Sequence, residues 1–250
     1  MKNIRLDILM VELGLVESRN IAQRLIMAGE VLVNDQLAHK SSQTFPIDAR
    51  VTLKKKPEFV SRGGIKLAHG LKHFNLIDLS GFICVDIGAS TGGFTDCLLK
   101  HNAAMVYAVD VGYGQLHTNL RNNPRVVVLE RTNVRKIESF NRPLDLVTID
   151  ASFISLKLIL PIVKKWSNMQ GFRVVALVKP QFEAGRKIAA KGKGVIRDAS
   201  IRKSILDEII LFAKTEGFIF HDVTESPIEG PKGNLEYLIY LSIEGSKEPD

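Results

Sequence analysis

Asp86-Ile87-Gly88-Ala89-Ser90-Thr91-Gly92-Gly93-Phe94 closes an apolar run that begins at Phe82 and opens a helical pattern that reaches Lys100. A buried strand that hands over to a helix through a glycine-rich turn is the building unit of open α/β sheets. Glycines are needed there because the backbone turns sharply and a ligand must approach it closely. Outward from this stretch, residues 104–109, 125–129, 144–149 and 173–178 are further apolar runs, each set apart by loop or helix-like sequence. Strands joined by crossovers make a mainly parallel sheet with helices on both faces. The last two runs, 218–223 and 235–241, have no helix between them and predict an antiparallel hairpin at the sheet edge.

In such a sheet the ligand crevice lies beyond the carboxyl ends of the strands. A nicotinamide site would want Gly-x-Gly-x-x-Gly, with free amides to cradle a pyrophosphate. This loop has different spacing and an acid, Asp86, in front of it. A carboxylate beside the loop suits a ligand with an ammonium and a sulfonium but no phosphate, which describes S-adenosylmethionine. Asp110 ends the second strand, where an acid can accept hydrogen bonds from both ribose hydroxyls, and Asn133 follows the third, where it can read adenine. The cofactor-binding set is therefore Asp86, Gly88, Ala89, Ser90, Thr91, Gly92, Gly93, Phe94, Asp110 and Asn133.

Length and composition set the outer limits. The 250 residues, 45% hydrophobic and 24% charged, suit one good-sized domain or a medium one with a small companion, and they exclude wholesale disorder. No run approaches the roughly 18 uncharged apolar residues of a membrane span, and the first residues lack a signal core. Two cysteines, Cys84 and Cys97, cannot by themselves build a disulfide framework or a zinc site; no metal is expected, and a cytoplasmic location is. The net charge of +7 points to a partner with phosphates. That charge is concentrated, because residues 1–75 hold twelve Lys and Arg against seven acids.

Within it, roughly the first 55 residues read as a compact unit. Leu6, Leu9, Met10 and Leu13 recur at helical spacing before Gly14, and Ser18 caps a second helix that Gly29 ends. A short strand at 31–33, a turn at Asn34-Asp35 and a returning strand at 51–53 follow. Lys54-Lys55-Lys56-Pro57 breaks the pattern as a linker. The string Arg5-Leu6-Asp7, Ser18-Arg19 through Ala22-Gln23, and Gly29 through Asn34 resembles the S-four-type RNA-binding domain. In that family two helices and the following turn present basic groups to structured RNA, which implies such a role for Arg5, Arg19, Arg24 and Lys40. A second basic stretch, 183–197, interleaves Gly185, Gly192 and Gly194 with Arg186, Lys187, Lys191 and Lys193. It is either a mobile surface loop or one that orders on a phosphate backbone.

Four polar residues stand where the crevice should gather them. Lys66, in Ser61-Arg62-Gly63-Gly64-Ile65-Lys66, opens a helix whose apolar face is Leu67, Leu71 and Phe74. Asp150 ends the fourth strand and leads into Ala151-Ser152-Phe153-Ile154-Ser155-Leu156. Lys179 ends the fifth, between five apolar residues and Pro180-Gln181-Phe182, and Glu236 starts the last. Order, spacing and strings resemble the Lys-Asp-Lys-Glu tetrad of FtsJ-type ribose 2'-O-methyltransferases. With the small domain in front, residues 5–242 resemble the TlyA family of ribosomal-RNA methyltransferases, many of which carry a hemolysin label. The linker Pro57-Glu58-Phe59-Val60 departs from the Trp-bearing form of some relatives.

That resemblance implies a class I, Rossmann-like, S-adenosylmethionine-dependent methyltransferase sheet at 63–245, a linker at 57–62 and an α+β RNA-binding domain at 1–56. It implies methylation of ribosomal RNA, on cytidine, and an rRNA or subunit partner that Arg62 also touches. Lys179 would sit closest to the 2'-hydroxyl as base or as stabiliser of the alkoxide, with Asp150 and Glu236 orienting the lysines and Lys66 supplying a second positive charge. Three rivals remain at this point. A membrane-lytic protein needs an insertion segment that is not visible. An inactive methyltransferase-like RNA binder sits poorly with an intact tetrad, and a nicotinamide enzyme sits poorly with the glycine spacing.

Overall fold

The computed structural model describes residues 3–16, 18–54, 58–167, 171–185, 192 and 194–245. The chain divides into two compact units, Met1–Pro57 and Glu58–Asp250.

In the first unit, β1 (Asn3–Arg5) leads directly into α1 (Leu6–Glu12), and Ser18 accepts a hydrogen bond from the Ile21 amide to start α2 (Arg19–Met27). Four short strands follow: β2 (Val31–Val33), β3 (Gln36–Leu37), β4 (Thr44–Pro46) and β5 (Val51–Leu53). β2 lies antiparallel between β3 and β5, while β1 pairs with β4. Asn34 and Asp35 both take the left-handed conformation that a two-residue hairpin turn demands. Leu6, Leu9, Met10, Ala22, Ile26, Val31 and Val33 form the core.

The second unit opens with α3 (Gly63–His73), then β6 (Ile83–Ile87), α4 (Gly93–Lys100), β7 (Met105–Val109), α5 (Thr118–Arg121) and β8 (Val126–Leu129). It continues with β9 (Leu146–Ile149), α6 (Leu160–Lys164), β10 (Phe172–Val178), α7 (Pro180–Glu183), α8 (Ala199–Thr215), β11 (Ile219–Glu225) and β12 (Tyr237–Ile243). The seven strands order as β11-β12-β10-β9-β6-β7-β8. All neighbours from β10 to β8 are parallel, and β12 runs antiparallel to both β10 and β11. The alternation of side chains across the pleat builds a core on each face. Cys84, Val106, Leu146 and Val175 meet Leu67, Leu71 and Leu98 of α3 and α4, while Val85, Val109, Val147 and Val174 meet Leu160 and Ile209 on the opposite side.

Much of the expected linker belongs to this second unit. Phe59 is buried, and a Cβ placed on Gly64 would collide with its ring, so a bare glycine in the first turn of α3 is what lets Phe59 dock. The Val60 amide donates to Asp96 Oδ2 on α4, and Lys100 donates to the Glu58 carbonyl. An aromatic ring that can be buried this close to the sheet does not stay in a connector.

Candidate active site

Parallel strands bring their carboxyl ends to one edge, so Gly88 after β6, Asp110 after β7, Asp150 after β9 and Lys179 after β10 arrive there together. Glu236 joins them because β12 runs the other way. Tyr237 lies opposite Val178, which sets the residue before β12 beside the residue after β10. Lys66 enters from the second turn of α3.

The four polar residues form two ion pairs. Lys66 Nζ lies 2.5 Å from Glu236 Oε2, and Lys179 Nζ lies 2.6 Å from Asp150 Oδ1. Glu236 is wholly buried and both lysines nearly so, at 7% exposure each. Gln181 links the pairs along the chain, for it follows Lys179 by two residues and its Nε2 donates to Glu236 Oε1 at 3.4 Å. Two lysines and two carboxylates cancel in charge, which makes burial of the set affordable.

Two cavities meet at this edge. One of about 540 Å³ is lined by Ser61, Arg62, Lys66, Phe94 and Asp150, with the loop residues Ala89, Thr91 and Gly93. The other, of about 430 Å³, is lined by Asp110, Val111, Asn133, Ser152, Phe153 and Ile154. Gly88, Ser90 and Asp150 border both. Gly88 stands at φ +84°, and a Cβ there would lie 2.5 Å from the Asp150 carbonyl oxygen, so only glycine lets the loop pass under β9. Asp110 accepts from the Ser90 amide at 2.8 Å and the Gly112 amide at 2.6 Å, which fixes its carboxylate at the wall of the second cavity. The Asn133 side chain caps a short helical turn through the Arg135 amide. An acid at one end, apolar walls and a central carboxylate make a lining of acceptors that fits an adenosine bearing a cationic sulfur centre. Among the described residues no cluster of His, Cys, Asp or Glu could hold a metal ion.

Asp86 and Gly92 stand apart from both cavities. Asp86 is on the face of β6 that packs against α4, wholly buried, and accepts from Thr95 Oγ1 at 2.7 Å and Thr148 Oγ1 at 3.2 Å. Burial pushes its carboxyl up to about 7 despite those two hydrogen bonds. It ties the sheet to α4 beneath the loop and lines neither cavity. Gly92 takes φ +97° to start α4, and a Cβ there would strike Leu120.

The basic residues divide in the same way. Arg5 and Arg19 are fastened to Asp7, a wholly buried carboxylate that also accepts from Gln23. Hydrogen bonds from Arg5 first, then from Gln23 and Arg19, hold that carboxyl well below the usual range. Arg24 and Lys40 are exposed. Arg62, at the rim of the larger cavity, donates to the Glu229 carbonyl at 2.7 Å. Arg186, Lys187, Lys191 and Lys193 lie outside the described residues.

The sequence reading missed Ser152 and Phe153. Lys179 Nζ donates to Ser152 Oγ at 2.9 Å. Phe153 is 90% exposed at the cavity mouth, with its backbone at φ +63° and its ring 4.8 Å from that of Phe182. A bulky side chain in the left-handed region, and so exposed, is a feature that no residue pattern announces.

Comparison with known proteins places these features in a lineage. Residues 59–243 match the FtsJ-like methyltransferase family and residues 4–51 the S4 domain. The chain is similar to hemolysin A of Brachyspira hyodysenteriae, 46% identical over 96% of this chain and all of the relative. It is 42% identical to the 16S/23S rRNA (cytidine-2'-O)-methyltransferase TlyA of Mycobacterium tuberculosis, over 96% of this chain and 90% of that one. A solved structure described as a hemolysin from Streptococcus thermophilus superposes with a TM-score of 0.71 at 42% identity, covering all of this chain and 92% of the other.

Proposed function

The chain belongs to the FtsJ-like methyltransferase family and carries an S4 domain ahead of it, and from that premise we propose that it methylates the ribose 2'-hydroxyl of a cytidine in ribosomal RNA, with S-adenosylmethionine as donor. The observation that carries the reading is the pair of buried Lys–carboxylate contacts beside a cavity built for an adenosine. The named M. tuberculosis relative supplies the base and the RNA class. Its substrate being ribosomal, the protein works in the cytoplasm, on rRNA or a ribosomal subunit.

When bound, S-adenosylmethionine supplies an electrophilic methyl group on a sulfonium. Asp110 would hold the ribose of that cofactor, with Gly88, Ser90 and Asn133 lining the same cavity. The residues of this chain must then hold the target hydroxyl and receive its proton. Lys179 is the group for both tasks, since its amine lies beside Asp150, which borders the two cavities. Asp150 fixes that amine at ion-pair distance. Lys66 and Glu236 form the second pair, with Lys66 on the wall of the larger cavity, where the RNA strand enters. Alignment of this kind can supply about 7 kcal/mol or more of the barrier. Phe153 offers its exposed ring as a platform for the target base, because every base has a face that stacks on an aromatic. Arg24, Lys40 and Arg62 contact phosphates.

The test is incubation of purified protein with S-adenosylmethionine and bacterial ribosomal subunits, followed by nucleoside analysis. Appearance of 2'-O-methylcytidine with wild type and its absence with Lys179→Ala is the expected result. Methylation on a base carbon or nitrogen overturns the reading.

A further inference from the structure

We propose that Ser152 is a positioning residue for methyl transfer, aiming the Lys179 amine at the ribose hydroxyl; this rests on the reading of Lys179 given above. Lys179 Nζ is 2.6 Å from Asp150 Oδ1, yet that buried oxygen has no partner in hydrogen-bond geometry. The well-directed hydrogen bond of the amine goes instead to Ser152 Oγ at 2.9 Å. Charge attraction fixes how near the amine lies to Asp150, whereas a hydrogen bond also fixes its direction. Asp150 therefore sets where the amine sits, and Ser152 sets one of the directions in which its nitrogen points.

The chemistry favours a hydroxyl in that place. A carboxylate only accepts, so it holds an ammonium well and a neutral amine less well. A serine hydroxyl both donates and accepts, and it stays a partner for Lys179 whether or not the amine has taken the proton.

The loop is built to hold this contact. Segments 152–156 and 179–183 are joined in three successive places. Ser152 binds Lys179, the Phe153 ring packs on that of Phe182, and Glu183 accepts from Ser155 Oγ and from the Leu156 amide. Phe153 keeps its left-handed backbone within this stitching. Ser152 itself is exposed, so replacing it leaves no cavity in the core.

The experiment is single-turnover methylation of bacterial ribosomal subunits by the full chain, with labelled S-adenosylmethionine. Ser152→Ala should lower the rate constant roughly ten- to hundredfold, following the loss expected from a misplaced catalytic group. Cofactor affinity and the half-saturating subunit concentration should stay within about twofold, because the change acts on the aligned state alone. Ser152→Thr, which keeps the hydroxyl, should restore most of the rate. A wild-type rate for Ser152→Ala beside an inactive Lys179→Ala overturns the role of Ser152 alone. An active Lys179→Ala overturns the reading of Lys179, and this proposal with it.

Discussion

Replacing Asp7 by Ala should destabilise the small domain while the large one stays intact. Asp7 is wholly buried at the start of α1 and accepts two hydrogen bonds from Arg5, one from Arg19 and one from Gln23. Four bonds to a charge would sum naively to about 6 kcal/mol or more. The two guanidiniums keep half their surface in water, so screening and rehydration reduce the net cost to about 2–3 kcal/mol. A unit of this size has only about 3–8 kcal/mol in total, at 0.05–0.15 kcal/mol per residue. The loss is about a quarter or more of its stability. Hydrogen exchange on the full-length chain separates the two units, and amides of α1 and α2 should lose protection by about 30- to 150-fold while those of β6 to β10 stay unchanged. The pH dependence gives a second reading. The folded carboxyl titrates below its unfolded value, so its stabilisation is complete above that value and is lost as pH falls through the acid range. In Asp7→Ala the acid-sensitive part of the small domain's protection should vanish. Unchanged protection in Asp7→Ala would refute the reasoning, and would return Arg5 and Arg19 to the role of free RNA contacts.

Three shorter predictions accompany it. Asp110→Ala should weaken S-adenosylmethionine binding by about 2–3 kcal/mol, roughly 30- to 150-fold, in calorimetry, with RNA affinity unchanged. Asp86→Asn should flatten the stability–pH curve: a carboxyl raised to about 7 in the fold favours the folded state below its unfolded value and loses that preference as pH climbs toward 7, a span of about 4 kcal/mol that denaturant titrations at several pH values would register. Phe153→Ala should raise the subunit concentration needed for half-saturation by about five- to 150-fold, the range for one lost stacking contact, with cofactor affinity unmoved.

The parallel strands were legible because strands covered on both faces read as largely apolar runs, and all seven expected strands formed within two residues of their expected ends. Their order in space was not, since nothing in β9 or β10 states which neighbour it takes. The hairpin expectation carried further than the edge alone: the reversed direction of β12 is what brings Glu236 to Lys179. Asp86 was misjudged because its nearness to the loop in sequence outweighed strand alternation, which puts it with Cys84 on the α4 face. Arg5 and Arg19 looked like solvent-facing charges. Their partner Asp7 is buried through contacts with residues 12 and 16 positions further on, a closure that only packing of the two helices creates. Ser152 and Phe153 were part of a quoted string, yet a left-handed phenylalanine leaves no mark in residue type.

Ribose-methylation mapping at single-nucleotide resolution, on ribosomal RNA from cells lacking this protein, tests the central claim most directly. Deletion should erase methylation at one or a few cytidines, and the wild-type gene but not a Lys179→Ala form should restore it. An identical map with and without the protein, or full restoration by Lys179→Ala, would contradict the account.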